Sequence, residues 1–318
     1  MGNPKVSIVF RALNEAKWFD QALSACKSQD TEDKFEFEIL LVDSGSTDQT
    51  LEIAKRHGVR ILHIKKSEFT FGRSLNIGCD AAQGDVLVFI SAHCIPEHPY
   101  WLVNLVAPIL DGECDYTYGR QVGHETASRF SEKQVFAHYF GPDSHVPQDG
   151  FFCNNANAAV CTRAWAQYRF DETVTGLEDM VLAKTITEHG GKVGYVSDAP
   201  VVHIHEEDLR QTYRRYYREA LVLRNIMPRV HFNLFDLVKC TTAGVLHDFV
   251  TAARMRRFWR EAAGILGFRF MQYWGTYRGH NEHRILSRAE KEKYYYPRVR
   301  QRQRLRTRVS QSNIEPAE

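Results

Sequence analysis

Short apolar runs alternate with amphipathic segments through the first 90 residues. Residues 5–10 (KVSIVF), 37–42 (FEILLV), 59–64 and 86–90 (VLVFI) are brief and rich in branched side chains. That length and chemistry predict strands rather than helices. The segments between them, 16–28, 48–57 and 74–82, predict helices. Strand and helix in this alternation mean βαβ units: an α/β fold with a mostly parallel sheet and helices on both faces. Further along, 151–161 (FFCNNANAAVC), 193–196 and 199–204 predict strands, and 180–189 predicts a helix. Residues 206–227 and 234–264 predict a C-terminal helical region, its second helix broken near Gly244. The expected organisation is a sheet domain over 1–205, a basic helical region over 206–297, and a polar, Arg-rich tail over 298–318. The tail has too few apolar residues to fold and is expected to be disordered.

In open α/β sheets ligands sit at the carboxyl ends of the strands. That rule selects the loops 11–15, 43–48 and 91–96. The loop after the first strand has no G-x-G-x-x-G, and no G-x-x-x-x-G-K-[ST] occurs, which disfavours dinucleotide and P-loop chemistry. Asp43 ends an apolar strand, where a carboxylate can accept hydrogen bonds from a nucleobase or ribose, or cap its own turn. Asn14 and Glu15 suit either nucleoside contact or a helix amino end. Arg73 stands just before a predicted helix, where a guanidinium beside backbone N–H groups suits a diphosphate.

Charge changes the picture more than composition does. The chain carries 41 Lys+Arg against 39 Asp+Glu and is 43% hydrophobic, an ordinary globular balance. Residues 1–204 hold 18 basic and 27 acidic side chains, whereas 205–318 hold 23 and 12, with 20 of those 23 being Arg. The runs 210–218 (RQTYRRYYR) and 254–274 mix Arg with aromatics. No nucleic-acid module accompanies them, so no nucleic acid partner is expected; peripheral contact with anionic lipid headgroups, a lipid-diphosphate acceptor, or a solvated helix packed on the sheet domain all fit the same chemistry. The seven cysteines are scattered without a C-x-x-C pair, which predicts free thiols in a reducing compartment. No signal peptide and no run of 18 apolar residues is read, so the expected location is cytoplasmic, at most at the inner face of a membrane.

A family resemblance gathers these pieces. Asn14-Glu15, then Leu41-Val42-Asp43-Ser44-Gly45-Ser46-Thr47-Asp48, then Asn76-Ile77-Gly78 before Gly84-Asp85, and Leu177-Glu178-Asp179 about 90 residues later resemble the family 2 glycosyltransferases of the GT-A fold. The resemblance covers about residues 4–205. It implies a nucleotide-sugar donor, with Asn14, Glu15, Asp43, Arg73, Asp85, Ser91 and His93 as the expected donor-binding residues. It implies Asp179 as the general base of an inverting transfer, kept ionised at a helix amino end, with Glu178 as a positioning neighbour. Asn154, Asn155 and Asn157 are expected to read sugar hydroxyls. Trp101 and Trp165 are expected in the core.

The sequence departs from the family at one place. Where an Asp-x-Asp usually holds a divalent cation on the donor diphosphate, Ser91-Ala92-His93 stands here. Mg²⁺ prefers oxygen ligands, whereas Mn²⁺ or another transition ion could use His93 with His203 or His205. Alternatively no metal is used, and cationic Arg or His neutralises the leaving diphosphate. The Gln-x-x-Arg-Trp of processive synthases is not found, which implies single transfers to a glycan or lipid-linked acceptor, in bacterial surface polysaccharide assembly. A sugar-phosphate nucleotidyltransferase and a catalytically degenerate binding scaffold are the alternatives.

Overall fold

Four apolar runs become parallel strands in the computed structural model, which describes residues 5–282. They are β1 (Lys5–Ala12), β2 (Glu36–Asp43), β3 (Arg60–His63) and β4 (Val86–Ser91), ordered β3-β2-β1-β4. Helices α1 (Ala16–Lys27), α2 (Thr50–Arg56) and α3 (Phe71–Ala81) connect them. Near-continuous apolarity in β1 and β4 follows from burial on both faces. Val6, Ile8 and Phe10 of β1 join Val86, Val88 and Ile90 of β4 in one core layer. Val9, Leu87 and Phe89 point into the other.

The second half of the sheet is mixed. It contains β5 (Cys94–Pro96), α4 (Trp101–Leu110), β6 (Tyr116–Gly123), α5 (Phe130–Tyr139), β7 (Asn157–Cys161), α6 (Thr162–Tyr168), α7 (Glu178–Glu188) and β8 (Val193–His203). The full order is β3-β2-β1-β4-β7-β6-β8-β5, with β7 antiparallel to both β4 and β6. Two expectations change here. Residues 151–156 are loop rather than strand: the backbone N–H of Asn155 is turned to Asp179, and Asn154 Oδ1 accepts from the backbone N–H of Ala156. The two short strands expected over 193–204 are one strand, β8.

The C-terminal helices are α8 (Leu209–Ile226), α9 (Leu234–Arg254) and α10 (Phe258–His280). Helix α9 runs through Gly244 unbroken, and the chain turns at 255–257 instead. A side chain at Gly244 would press on Arg269 of α10, which pairs with the buried Asp248 of α9. Gly275 and Gly279 likewise let α10 lie directly against the backbone of α8 at Tyr213 and Tyr217. Residues up to 282 fall in one compact unit, so the charge change near 205 lies inside it, between β8 and α8. The expected 283–297 portion of the helical region and the 298–318 tail lie outside the described residues. All seven cysteines are free. Among the described residues no helix is long and apolar enough to cross a membrane.

Candidate active site

The carboxyl ends of β1, β2 and β4 meet along one edge, where Ala12 lies beside Asp43 and Arg11 beside Ser91. The loop after β2 folds on side chains from both strands. The Asp43 carboxylate, 1% exposed, accepts from the N–H groups of Gly45 (3.0 Å) and Ser46 (3.1 Å). Asn14 has a left-handed backbone (φ 59°), and its Oδ1 accepts from the N–H of Thr47 at 2.7 Å. Asp48 accepts from the N–H groups of Ala16 and Thr50, so one carboxylate steadies the starts of both α1 and α2. These motif residues therefore build the loop itself. Arg73 is exposed in the first turn of α3, whose Thr70 cap accepts from its backbone N–H.

Asp179 and Glu178 open α7 at the same edge, after Leu177 in a left-handed turn (φ 53°). Both carboxylates are buried. Asp179 accepts from the backbone N–H of Asn155 and of Met180, each at 2.8 Å. Glu178 accepts from Arg11 of β1 at 3.2 Å, and the Arg11 guanidinium also lies over Phe71. Burial and the neighbouring Glu178 charge push the Asp179 carboxyl up to about 7, against the pull of the two N–H groups and Arg11. The expectation of an ionised Asp179 is corrected by this balance: desolvation outweighs the helix amino end, and the group titrates near neutrality.

The third element is a cluster of imidazoles. His93 in the β4–β5 turn, His203 at the end of β8 and His205 just beyond it place one ring nitrogen each within 4.8 Å of the others. His93 stacks on His203, with ring centroids 5.2 Å apart. Each Nδ1 already has a partner: Glu15 for His93 (3.2 Å), Gln121 for His203 (2.7 Å) and Glu132 for His205 (2.7 Å). The Nε2 of His203 is buried with no hydrogen-bond partner among the described residues. Burial, then the neighbouring His205 and His93, hold His203 well below the usual imidazole range, so it is neutral. Burial opposes protonation of His93, but the Glu15 carboxylate outweighs it and raises that group. Imidazoles oriented by carboxylate or amide partners on the far nitrogen are the usual support of a metal ligand. The set fits a transition ion such as Mn²⁺ and suits Mg²⁺ poorly.

A family model described as glycosyl transferase family 2 matches residues 7–171, just over half of the chain. The chain belongs to the family 2 glycosyltransferases. Its fold is GT-A. It is 27% identical over 191 residues to the O-antigen chain rhamnosyltransferase WbaN of Salmonella anatum, covering 57% of this chain and 60% of that protein. It is 25% identical over 227 residues to the O-antigen chain rhamnosyltransferase RfbN of Salmonella typhimurium, covering 67% of this chain and 70% of that one. Among solved structures it resembles the mannosyltransferase PcManGT of Pyrobaculum calidifontis, in complex with GDP-Man and Mn²⁺. That likeness has a TM-score of 0.54 at 20% identity and covers 72% of this chain and 64% of the other.

Several candidate residues are placed elsewhere than expected for a family 2 site. Asp85 precedes β4 and accepts from the backbone N–H of Lys5, at the opposite end of the sheet from Ser91. The length of β4 puts it roughly 20 Å from the edge at about 3.3 Å per residue. Asn157 is fully buried: its amide donates to the carbonyls of Arg120 and Ala199 and accepts from Trp101, so it is a structural brace. Asn155 is also buried and bonds Tyr116, while its backbone N–H serves Asp179. Of the three asparagines only Asn154 keeps a half-buried side chain, whose Oδ1 accepts from Ala156. Trp101 and Trp165 are core residues, the latter bonding Asn76.

Other supporting residues were not singled out from the sequence. Arg11, Gln121, Glu132 and Arg215 act through Glu178, His203 and His205. Arg215 of α8 bonds both Glu132 and Glu207 at 2.7 and 2.9 Å, so the basic half does reach the acidic one. Sequence spacing carries no signal for these partners, because they lie up to 167 positions away.

Proposed function

We propose that this chain transfers a glycosyl group from a nucleotide-sugar donor to a hydroxyl of a glycan or lipid-linked acceptor, with inversion and one sugar per encounter. The observation that carries the reading is the Asp179 carboxylate, buried, clamped by two backbone N–H groups and titrating near 7 at the ligand-binding edge. A base tuned to the operating pH removes a hydroxyl proton most effectively. Asp179 takes the proton as the acceptor oxygen bonds to the anomeric carbon, and the bond from that carbon to the diphosphate oxygen breaks on the opposite face. Arg11 holds Glu178 beside it, leaving Glu178 to position a sugar.

On the donor side, Asp43, Asn14 and Glu15 meet the nucleoside, and Arg73 and His93 face the diphosphate. A divalent ion held by His93, His203 and His205 would add positive charge against the departing diphosphate. Family membership favours glycosyl transfer over nucleotidyl transfer. The names of the rhamnosyltransferase relatives make surface polysaccharide assembly the natural setting.

The first experiment is a thermal-shift panel of UDP-, GDP-, dTDP- and CMP-sugars with and without Mn²⁺, since binding to the folded state raises the melting temperature. Turnover is then followed with the donor that binds. Asp179→Asn is expected to lower kcat by about 1,000-fold while donor binding persists, within the range of general-base effects. Unchanged product formation by that variant overturns the base assignment. Tight donor binding with no turnover by the unaltered chain overturns the enzyme reading in favour of a binding scaffold.

A further inference from the structure

Helix α9 has one face that the core uses and another that it does not. Leu237, Asp248 and Ala252 are buried. Leu234, Val238, Leu246 and Val250 are at least half exposed. With Thr242, the positions from Val238 to Val250 recur every four residues; the row drifts about 40° per step, so it covers an arc of about 120° on the side away from the core, and Leu234 lies at the edge of the core-facing side. The stripe runs into the turn before α10, where Met255 is exposed, and Trp259 in the first turn of α10 is 91% exposed. Arg254, Arg256 and Arg257 lie in the same stretch, and none pairs with an acid among the described residues. The two acids of α9 are engaged elsewhere: Asp236 closes the capping box, and Asp248 is buried against Arg269.

We infer that the α9 stripe and the arginine turn form a docking surface for an anionic lipid membrane, with α9 lying in the plane of the interface. An apolar helix face seats at the headgroup boundary, an indole favours that boundary, and unpaired arginines meet anionic headgroups. Charge selects lipid over a second copy of the chain, because the stripe offers no exposed acid to those arginines. The position of the turn adds to this. Arg257 and Arg260 line a cleft of about 500 Å³ whose other wall includes Glu206 and Glu207, which directly follow His205. Docking at the turn sets this cleft beside the headgroups. The inference is independent of the transfer reaction and is read without any donor.

The test is sedimentation of the full chain with vesicles of phosphatidylcholine alone, or with about one-third phosphatidylglycerol, at low and high salt. Binding is expected to the anionic vesicles and to weaken with salt. Each arginine near an anionic surface is worth about fivefold, so Arg254→Ala/Arg256→Ala/Arg257→Ala weakens binding about 100-fold. Val238→Asp/Leu246→Asp is expected to abolish binding with unchanged circular dichroism, since both positions are exposed. Absence of vesicle binding overturns the inference. So does binding that neither variant affects, which would move the lipid contact to the arginines of 298–318. A concentration-dependent dimer that Leu246→Asp dissolves, without vesicle binding, assigns the stripe to a second copy and also overturns it.

Discussion

At the β1–β2 side of the sheet edge, Asn14, Asp43 and Asp48 direct their oxygens to backbone N–H groups no more than 33 positions away in sequence. At the β8 side, His93, His203 and His205 are held by Glu15, Gln121 and Glu132, at separations of 73 to 82 positions. The first flank is a self-supporting loop whose polar motif doubles as its own scaffold. The second has no local scaffold and exists only when β4, β6, β8 and α5 are assembled. A substitution in the first should therefore damage folding and binding together, whereas one in the second should separate them.

Beyond the loss of turnover in Asp179→Asn, the largest effect belongs to the histidine flank. His93→Ala/His205→Ala is expected to lower kcat/KM by about 100-fold, in line with disruption of an oriented ligand set. Its melting temperature without added metal should stay close to that of the unaltered chain, while any Mn²⁺-dependent thermal shift disappears. Retention of that shift would remove the imidazoles from the metal site. On the opposite flank, Asp48→Ala removes the acceptor for two helix starts and should cost about 2 kcal/mol in chemical denaturation. A loss of activity without a loss of stability there would erase the contrast between the flanks.

Between them, Asp179 gives a pH signature. Activity should rise with pH through about 7 as the carboxyl ionises. Arg11 favours the ionised form, so Arg11→Ala moves the midpoint up. Glu178 disfavours it, so Glu178→Gln moves the midpoint down. Identical profiles for both variants would break the assignment of the midpoint to Asp179. Stability has the opposite slope. The folded carboxyl is raised above its unfolded value of 3.8, so its contribution is complete below about 4 and is lost as pH passes through 7. The span is on the order of 4 kcal/mol, and Asp179→Asn should flatten it in denaturation curves at pH 5 and 8. The smallest effect is Asp85→Ala, at the far end of β4, which should leave donor affinity unchanged and stability within about 0.5 kcal/mol.

The first half of the fold was legible because two periodicities are written locally: doubly buried strands read as continuous apolar runs, and helices as amphipathic ones. The second half was less so. Residues 101–110 and 130–139 form helices, and 116–123 forms a strand that pairs with partners distant in sequence. The motif order 14–15, 43–48 and 177–179 also sufficed to mark one edge of the sheet, since strand ends and the loops that follow them are local features.

Direction and environment were decided elsewhere. Asp85 and Ser91 bracket the same strand; the carboxyl-end rule selects the loop after Ser91, whereas Asp85, expected through the family resemblance, lies at the other end. Asn154, Asn155 and Asn157 are neighbours in sequence, yet Trp101, Arg120 and Ala199 claim Asn157, while the Asn155 backbone is turned toward Asp179. Sequence by itself determined the residue types, their order and the acidic–basic division. Tertiary structure alone decided which carboxyl titrates near 7, which histidines converge and which face of α9 is left uncovered. The physical reason is that burial and long-range charge are properties of an assembled neighbourhood, whereas periodicity and strand-end chemistry belong to the chain.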